Sequence, residues 1–225
     1  LTQKATTTGF KRELEEAAIE RVREAEDYFN IAERDFAKKC YQDAINSYQK
    51  SINAVPTMSG YLNLGVSFLY VSEFKKAEDV LISGVQIARK KGNKKFEGAF
   101  LDNIGSTYFM QGKLEEALNS CHAALEIDKQ IGNHLGQANA LGNIGNVYHN
   151  QGKLEDALTS CKAALEIHKH IEDSLGQAIG LNNLGLIYRK QENLKDALTS
   201  YLMALEIHKQ IGHPLGQADA FANIG

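Results

Sequence analysis

Tryptophan is absent from this 225-residue chain, and proline occurs twice. No apolar run approaches the roughly 18 residues that a helical membrane span requires, which excludes a membrane partner of that kind. No basic excess is present either. Lys and Arg number 25 against 28 Asp and Glu, a formal net charge of −3, and nucleic-acid binders show the opposite balance. HExxH, Walker-loop and CxxC patterns are missing, as is a signal-peptide pattern at the start. The chain opens at Leu1 without a methionine, so an excised piece of a larger protein is expected.

Cysteine is scarce and odd in number: Cys40, Cys121 and Cys161. The last two stand 40 residues apart, each shortly before an Ala-Ala-Leu run. Such places in neighbouring units lie too far apart for a disulfide, whose Cα atoms need about 4.4–6.8 Å. A small buried apolar side chain is the reading that fits, with a reactive thiol as the alternative. Reduced cysteines suit a cytoplasmic location.

What is abundant is Ala, Leu, Glu, Lys and Gln, all good helix formers. Leu-Gly-Gln-Ala begins at Leu135, Leu175 and Leu215, a constant step of 40. A fixed period of this length marks one supersecondary unit copied and stacked, a solenoid whose extended surface serves binding. In residues 134–173 a helix is predicted to start after Asn133 and run to about Asn150, where Gly152 breaks it. A second runs from about Leu154 to Ile171. A short turn makes the two antiparallel. Asp173 and His213 cap the equivalent later helices, with Pro214 in the first helical position. Leu141, Ile144, Gly145 and Tyr148 share one face of the first helix. Leu154, Ala157, Leu158, Cys161, Ala164, Leu165 and Ile167 form the stripe of the second. Small Gly145 and Ala157 predict a close approach of the two axes.

Ile104, Gly105, Tyr108, Gly112, Ala117 and Ala124 recur as Ile144, Gly145, Tyr148, Gly152, Ala157 and Ala164. They recur again as Leu184, Gly185, Tyr188, Glu192, Ala197 and Ala204, and in diverged form as Leu64, Gly65, Phe68, Ser72, Ala77 and Gly84. This pattern resembles the tetratricopeptide repeat (TPR), in the 40-residue form of kinesin light chains and Pins-related adaptors. The resemblance implies an all-α fold, a right-handed α-α superhelix of antiparallel helix pairs. It divides the chain into a polar N-terminal segment and capping helix (1–24), a 34-residue repeat (25–57), repeats at 58–97, 98–137, 138–177 and 178–217, and the first half-helix of a further repeat (218–225). Ala44, Tyr48 and Pro56 occupy the family's places in the 34-residue copy, while Asp35 departs from the usual aromatic. Residues 1–8 are expected to be disordered. From Phe10 to about Lys39, one long helix or two abutting ones are expected, with Leu14, Ala18 and Val22 as a stripe that caps the first repeat. At the other end Leu215, Phe221 and Ile224 lack a second helix, so more repeats are expected to follow.

The face of each first helix opposite its core stripe is candidate binding surface. In the copy at 138–177 it carries Asn139, Asn143, Asn146 and Asn150, although asparagine is a poor helix former. One member recurs at every step: Asn63, Asn103, Asn143, Asn183 and Asn223. An amide both donates and accepts, so it can hold an extended backbone without reading its sequence. The TPR resemblance implies that first helices line the concave groove and that these asparagines touch the ligand's main chain. The competing reading has them bonding between neighbouring helices, or persisting from duplication. Variable flanking residues would set specificity: Val66, Leu69 and Tyr70, then Asp102, Ser106, Phe109 and Met110, then Leu186, Arg189 and Lys190. The groove would run from apolar to basic and suit a peptide with apolar anchors and acidic groups, unless Arg189 and Lys190 form an ordinary solvated face.

Catalytic chemistry, a cofactor and a metal are not expected. Glu115–Glu116 and Glu155–Asp156 sit where second helices start and suit the positive end of the helix dipole. His168 and His208 are copies of one position, filled by Asp128 a repeat earlier, and are read as surface residues. The function expected is a scaffold that binds a partner peptide or domain in the groove. The alternative is a regulatory or docking arm of a larger signalling protein or protease, with catalysis outside these residues. A third reading is architectural, with arrays self-associating end to end through Leu215, Phe221 and Ile224.

Overall fold

The computed structural model describes residues 2–224, with side chains from residue 14 onward. Among the described residues there are eleven α-helices and no strand. They fall into two compact units, residues 1–91 and 92–225. The first holds α1 (Thr2–Ala37), α2 (Tyr41–Ala54), α3 (Met58–Tyr70) and α4 (Phe74–Lys90). The second holds α5 (Lys94–Met110), α6 (Leu114–Gln130), α7 (His134–Asn150), α8 (Leu154–His170), α9 (Ser174–Lys190), α10 (Leu194–Gln210) and α11 (Pro214–Ile224). The helix boundaries expected for 134–173 agree with α7 and α8 to one residue.

Within the first unit α1 packs on α2, α2 on α3 and α3 on α4. A core of Ala32, Ala44, Ile45, Tyr48, Leu64, Phe68 and Ala77 ties them together. Of the N-terminal expectations, the single long helix is present and the disordered opening is corrected. The polar opening is helical from Thr2, and α1 is one unbroken helix of 36 residues. Its stripe at Leu14, Ala18 and Val22 is exposed, with Val22 bordering a hollow shared with Ser51 and Val55; burial starts at Ala25. The cause is length. Helix α2 has 14 residues and reaches only the C-terminal part of α1.

In the second unit each helix packs on the next, from α5 through α11. Core layers alternate with the repeat. Cys121, Ala124, Leu125, Ala140 and Ile144 make one, and Leu158, Cys161, Leu165, Leu181, Leu184 and Ile187 contribute to another. Both cysteines are buried, and burial pushes the thiols up, that of Cys161 to about 12, which silences thiolate chemistry.

Turns recur every 20 residues. A residue with positive φ ends each of α3 to α10, at positions 72, 92, 112, 132, 152, 172, 192 and 212. Glycine fills five of these, but Ser72, Glu172 and Glu192 hold φ near 60°. A side chain pays about 1–2 kcal/mol for that conformation. Glu192→Gly is therefore expected to raise stability by up to about 1 kcal/mol after glycine's own entropic cost. A thermal melt read by circular dichroism checks it, and a lower midpoint contradicts it.

Candidate functional site

Consecutive first helices meet in the second unit: α5 touches α7, and α7 touches α9. Small residues recur along these helices. Ala138, Ala140, Ala178 and Gly180 are all buried. The result is a continuous wall, and a cleft of about 440 Å³ runs along it. Asp102, Asn103, Asn139, Asn143, Asn146 and Asn183 line the cleft, together with Gly142, Gly176 and Gly180. Leu175 and Ile179 add an apolar edge and are 43% and 50% exposed. Spacing alone had placed the asparagines on one helix face. Stacking brings three of the repeated set, Asn103, Asn143 and Asn183, to one cleft. Asn183 also borders a second hollow of about 410 Å³ with Asn182, Asp219 and Asn223.

The amides have partners inside the protein. Asn143 Nδ2 donates to Asp102 Oδ1 at 2.9 Å and to Ser106 Oγ at 3.2 Å, both on the preceding first helix. Asn103 Nδ2 donates to the Ala99 carbonyl of its own helix at 2.9 Å. In the first unit Asn63 Nδ2 donates to Glu33 Oε1 at 2.6 Å, and the Tyr48 hydroxyl donates to the same carboxylate oxygen. The inter-helix role weighed as the competing reading is thus real for Asn63 and Asn143. Asn139 and Asn150 are exposed, and Asn146 and Asn183 are half-buried.

The remaining expected residues are scattered. Tyr70 is stacked on Tyr41 at 4.6 Å and lies edge-on to Phe36, in the first unit. Phe109 and Met110 line a smaller pocket of about 210 Å³ with Asn143 and Asn146. Arg189 and Lys190 are exposed in the last turn of α9, and neither is among the residues lining the main cleft. Lys190 Nζ donates to the His149 carbonyl at 3.0 Å.

The Leu-Gly-Gln-Ala motif has a physical reason that the sequence hid. Asp128, His168 and His208 are buried, not surface residues as expected. Each lies at the end of a second helix, beneath Gly136, Gly176 or Gly216 of the next first helix. A Cβ at any of these glycines would fall well inside contact distance of the carboxylate or imidazole. The following Gln137, Gln177 and Gln217 donate to the backbone carbonyls of residues 128, 168 and 208 at 3.1, 3.4 and 3.3 Å. Each buried polar side chain meets the residue that starts the next helix. Asn133 Nδ2 donates to Asp128 Oδ1 at 2.7 Å, His168 Nδ1 lies 2.9 Å from Asp173 Oδ2, and the His208 and His213 rings are 5.1 Å apart. This overturns the expected capping role of Asn133, whose side chain caps no backbone N–H. A buried carboxylate takes its amide instead. Asp173 and His213 do cap, accepting from Gly176 N and Gly216 N.

Two carboxylates shape the local field. Burial raises the pKa of Asp102 to about 6, Asn143 pulls it down, and the charge of Asp128 pushes it further up. Burial also raises Asp128. Among the described residues no group of three His, Cys, Asp or Glu is arranged to hold a metal, and no helix is long and apolar enough to cross a membrane.

A family model for the tetratricopeptide repeat matches residues 97–159 and again 137–210. No relative was found among curated proteins. Solved structures share the fold. A Rap protein complexed with competence and sporulation factor is 16% identical, with a TM-score of 0.80, over 88% of this chain and 57% of that one. The Rap conjugation gene regulator of plasmid pLS20, in complex with the Phr* peptide, is 18% identical with a TM-score of 0.77, over 86% and 55%. A signal transduction ATPase with a tetratricopeptide repeat sensor, from Pyrococcus horikoshii, is 20% identical with a TM-score of 0.71, over 88% and 31%. This chain therefore spans little more than half of the two Rap proteins and about a third of the ATPase.

Proposed function

The chain belongs to the tetratricopeptide repeat family, and on that premise we propose that it binds an extended segment of a partner protein along the cleft of α5, α7 and α9. Its architecture is that of an interaction scaffold. The observation that carries the finer reading is the convergence of five asparagines from three first helices on one cleft of about 440 Å³. Helix stability would not select asparagine five times there, since each costs roughly 0.5 kcal/mol against alanine. The partnering of Asn143 refines its role. Both its amide hydrogens are committed to Asp102 and Ser106, so what it offers a ligand is its carbonyl oxygen. A peptide N–H is the complement. One Rap protein of this fold is seen in complex with the Phr* peptide and another with competence and sporulation factor, which supports the same use here.

Asn143→Ala combined with Asn183→Ala tests the reading. Peptides are first selected on the wild-type chain from a displayed library of random linear peptides. Their affinity for the double variant is expected to fall at least tenfold, about 1.4 kcal/mol, by fluorescence anisotropy. Asn143→Ala also loses the bonds to Asp102 and Ser106, so a lower melting temperature is expected from it, whereas Asn183→Ala alone should melt like the wild type and still bind more weakly. Equal affinity removes the amide wall from recognition.

The arm-of-a-larger-protein alternative is favoured by one observation: the ATPase of the same fold carries such repeats as a sensor, and this chain spans 31% of it. The two readings share the cleft and differ in what the bound segment controls.

A further inference from the structure

The cleft's charge is one-sided. The charged residues that line it are Asp102 and Asp173, with His168 in contact with the latter; no Lys or Arg lines it. Its other polar groups are chiefly amides, and Asn143 presents an acceptor once its hydrogens are spent. The fold does not require the acid at 102. The same place in the repeat holds Leu62, Gly142, Asn182 and Ala222. A carboxylate is costly there, first because burial strips it of water and then because the nearby charged group is a second carboxylate, Asp128, while the Asn143 amide offsets part of this. Stability thus argues against Asp102, and a cation from outside would relieve it. The apolar edge of Leu175 and Ile179 suits the aliphatic stem that Lys and Arg carry.

We propose that this cleft selects a positively charged peptide, with Asp102 receiving a lysine or arginine side chain of the bound segment. The inference rests on the proposed groove and adds the ligand's charge. It reverses the acidic ligand expected from Arg189 and Lys190, since neither lines the cleft. Those two cations mark the end of α9 where a basic residue would be repelled.

The library selection supplies the probe. Peptides taken by the wild-type chain are expected to carry Lys or Arg at one fixed position, with Asp and Glu depleted there. Asp102→Asn keeps the shape and the partner amide but loses the charge. It should bind those peptides at least tenfold more weakly. Wild-type affinity should also fall as pH is lowered through about 6, where Asp102 takes up a proton, and Asp102→Asn should lose that step. The titratable groups facing Asp102 are Asp128 and Cys121 of α6, and His168 and Asp173 share the cleft, so Asp128→Asn serves as a control that should keep the step. Selected peptides that are acidic or uncharged, or equal binding by Asp102→Asn, overturn cation selection. If Asn143→Ala and Asn183→Ala still weaken capture in that case, the groove stands without it. If neither set of variants matters, both readings fall.

Discussion

Gly145→Leu is expected to cost about 3 kcal/mol or more of stability. The reason is local. An ideal Cβ on Gly145 would fall far inside the van der Waals radius of Cys161 Sγ, and 3.4 Å from the Ala157 carbonyl oxygen. Cys161 is buried and has one rotatable bond, so it has little room to yield. The smaller change Gly145→Ala isolates the effect. Alanine in a helix interior normally gains about 1 kcal/mol over glycine. Here the methyl collides with sulfur, and a net loss is expected in urea denaturation. Cys161→Ala in the same chain should restore most of it, because a methyl then occupies the space the sulfur left. Additive losses in the double variant would show that the glycine is needed for something other than this contact.

Tyr201→Ala is expected to cost about 3–5 kcal/mol, the range for emptying a large aromatic site in a core. Tyr201 is the 40-residue counterpart of Leu81, Cys121 and Cys161, and it fills the same space, with its ring directly beneath Gly185. It is 2% exposed, and its hydroxyl is buried without a hydrogen-bond partner. That hydroxyl gives the prediction a second, opposite arm. An unpartnered buried polar group costs about 1–3 kcal/mol, so Tyr201→Phe should be neutral or stabilising. Calorimetry on the two variants measures ring and hydroxyl separately. A destabilised phenylalanine variant would show that the hydroxyl has a partner in solution.

These two sites explain why one glycine recurs while its neighbour drifts from leucine to cysteine to tyrosine. The glycine sets how near the helix axes come. The residue opposite needs only to fill what remains, and different volumes are met by different local packing. Gly65, Gly105, Gly145 and Gly185 were visible as a repeating letter in the sequence. Their partners were not, because contact across a helix pair depends on axis separation, which no spacing encodes.

The candidate site divides in the same way. Periodicity alone put Asn139, Asn143, Asn146 and Asn150 on one helix face, because 3.6 residues per turn fixes which side chains are neighbours. It could not tell that Asn143 spends both its hydrogens on Asp102 and Ser106, nor that Asn150 and Lys190 stand apart from the cleft. Asp102 was visible only as a variable flanking residue. The burial and the like charge of Asp128 that make it a specificity candidate arise from two helices meeting. Asp128, His168 and His208 were misread as surface because polar residues usually are. The signal that could have placed them was there: Gly136, Gly176 and Gly216 follow each at eight residues, leaving space for a side chain to pass.

The sequence by itself determined the helix pairs, their 40-residue period, the core stripes and the family, because each follows from local geometry repeated along one chain. Only the tertiary structure decided which polar groups are sealed inside and which face a cleft. Burial and field depend on atoms that packing brings together from separate repeats, and a pattern read along the chain holds no information about distances across it.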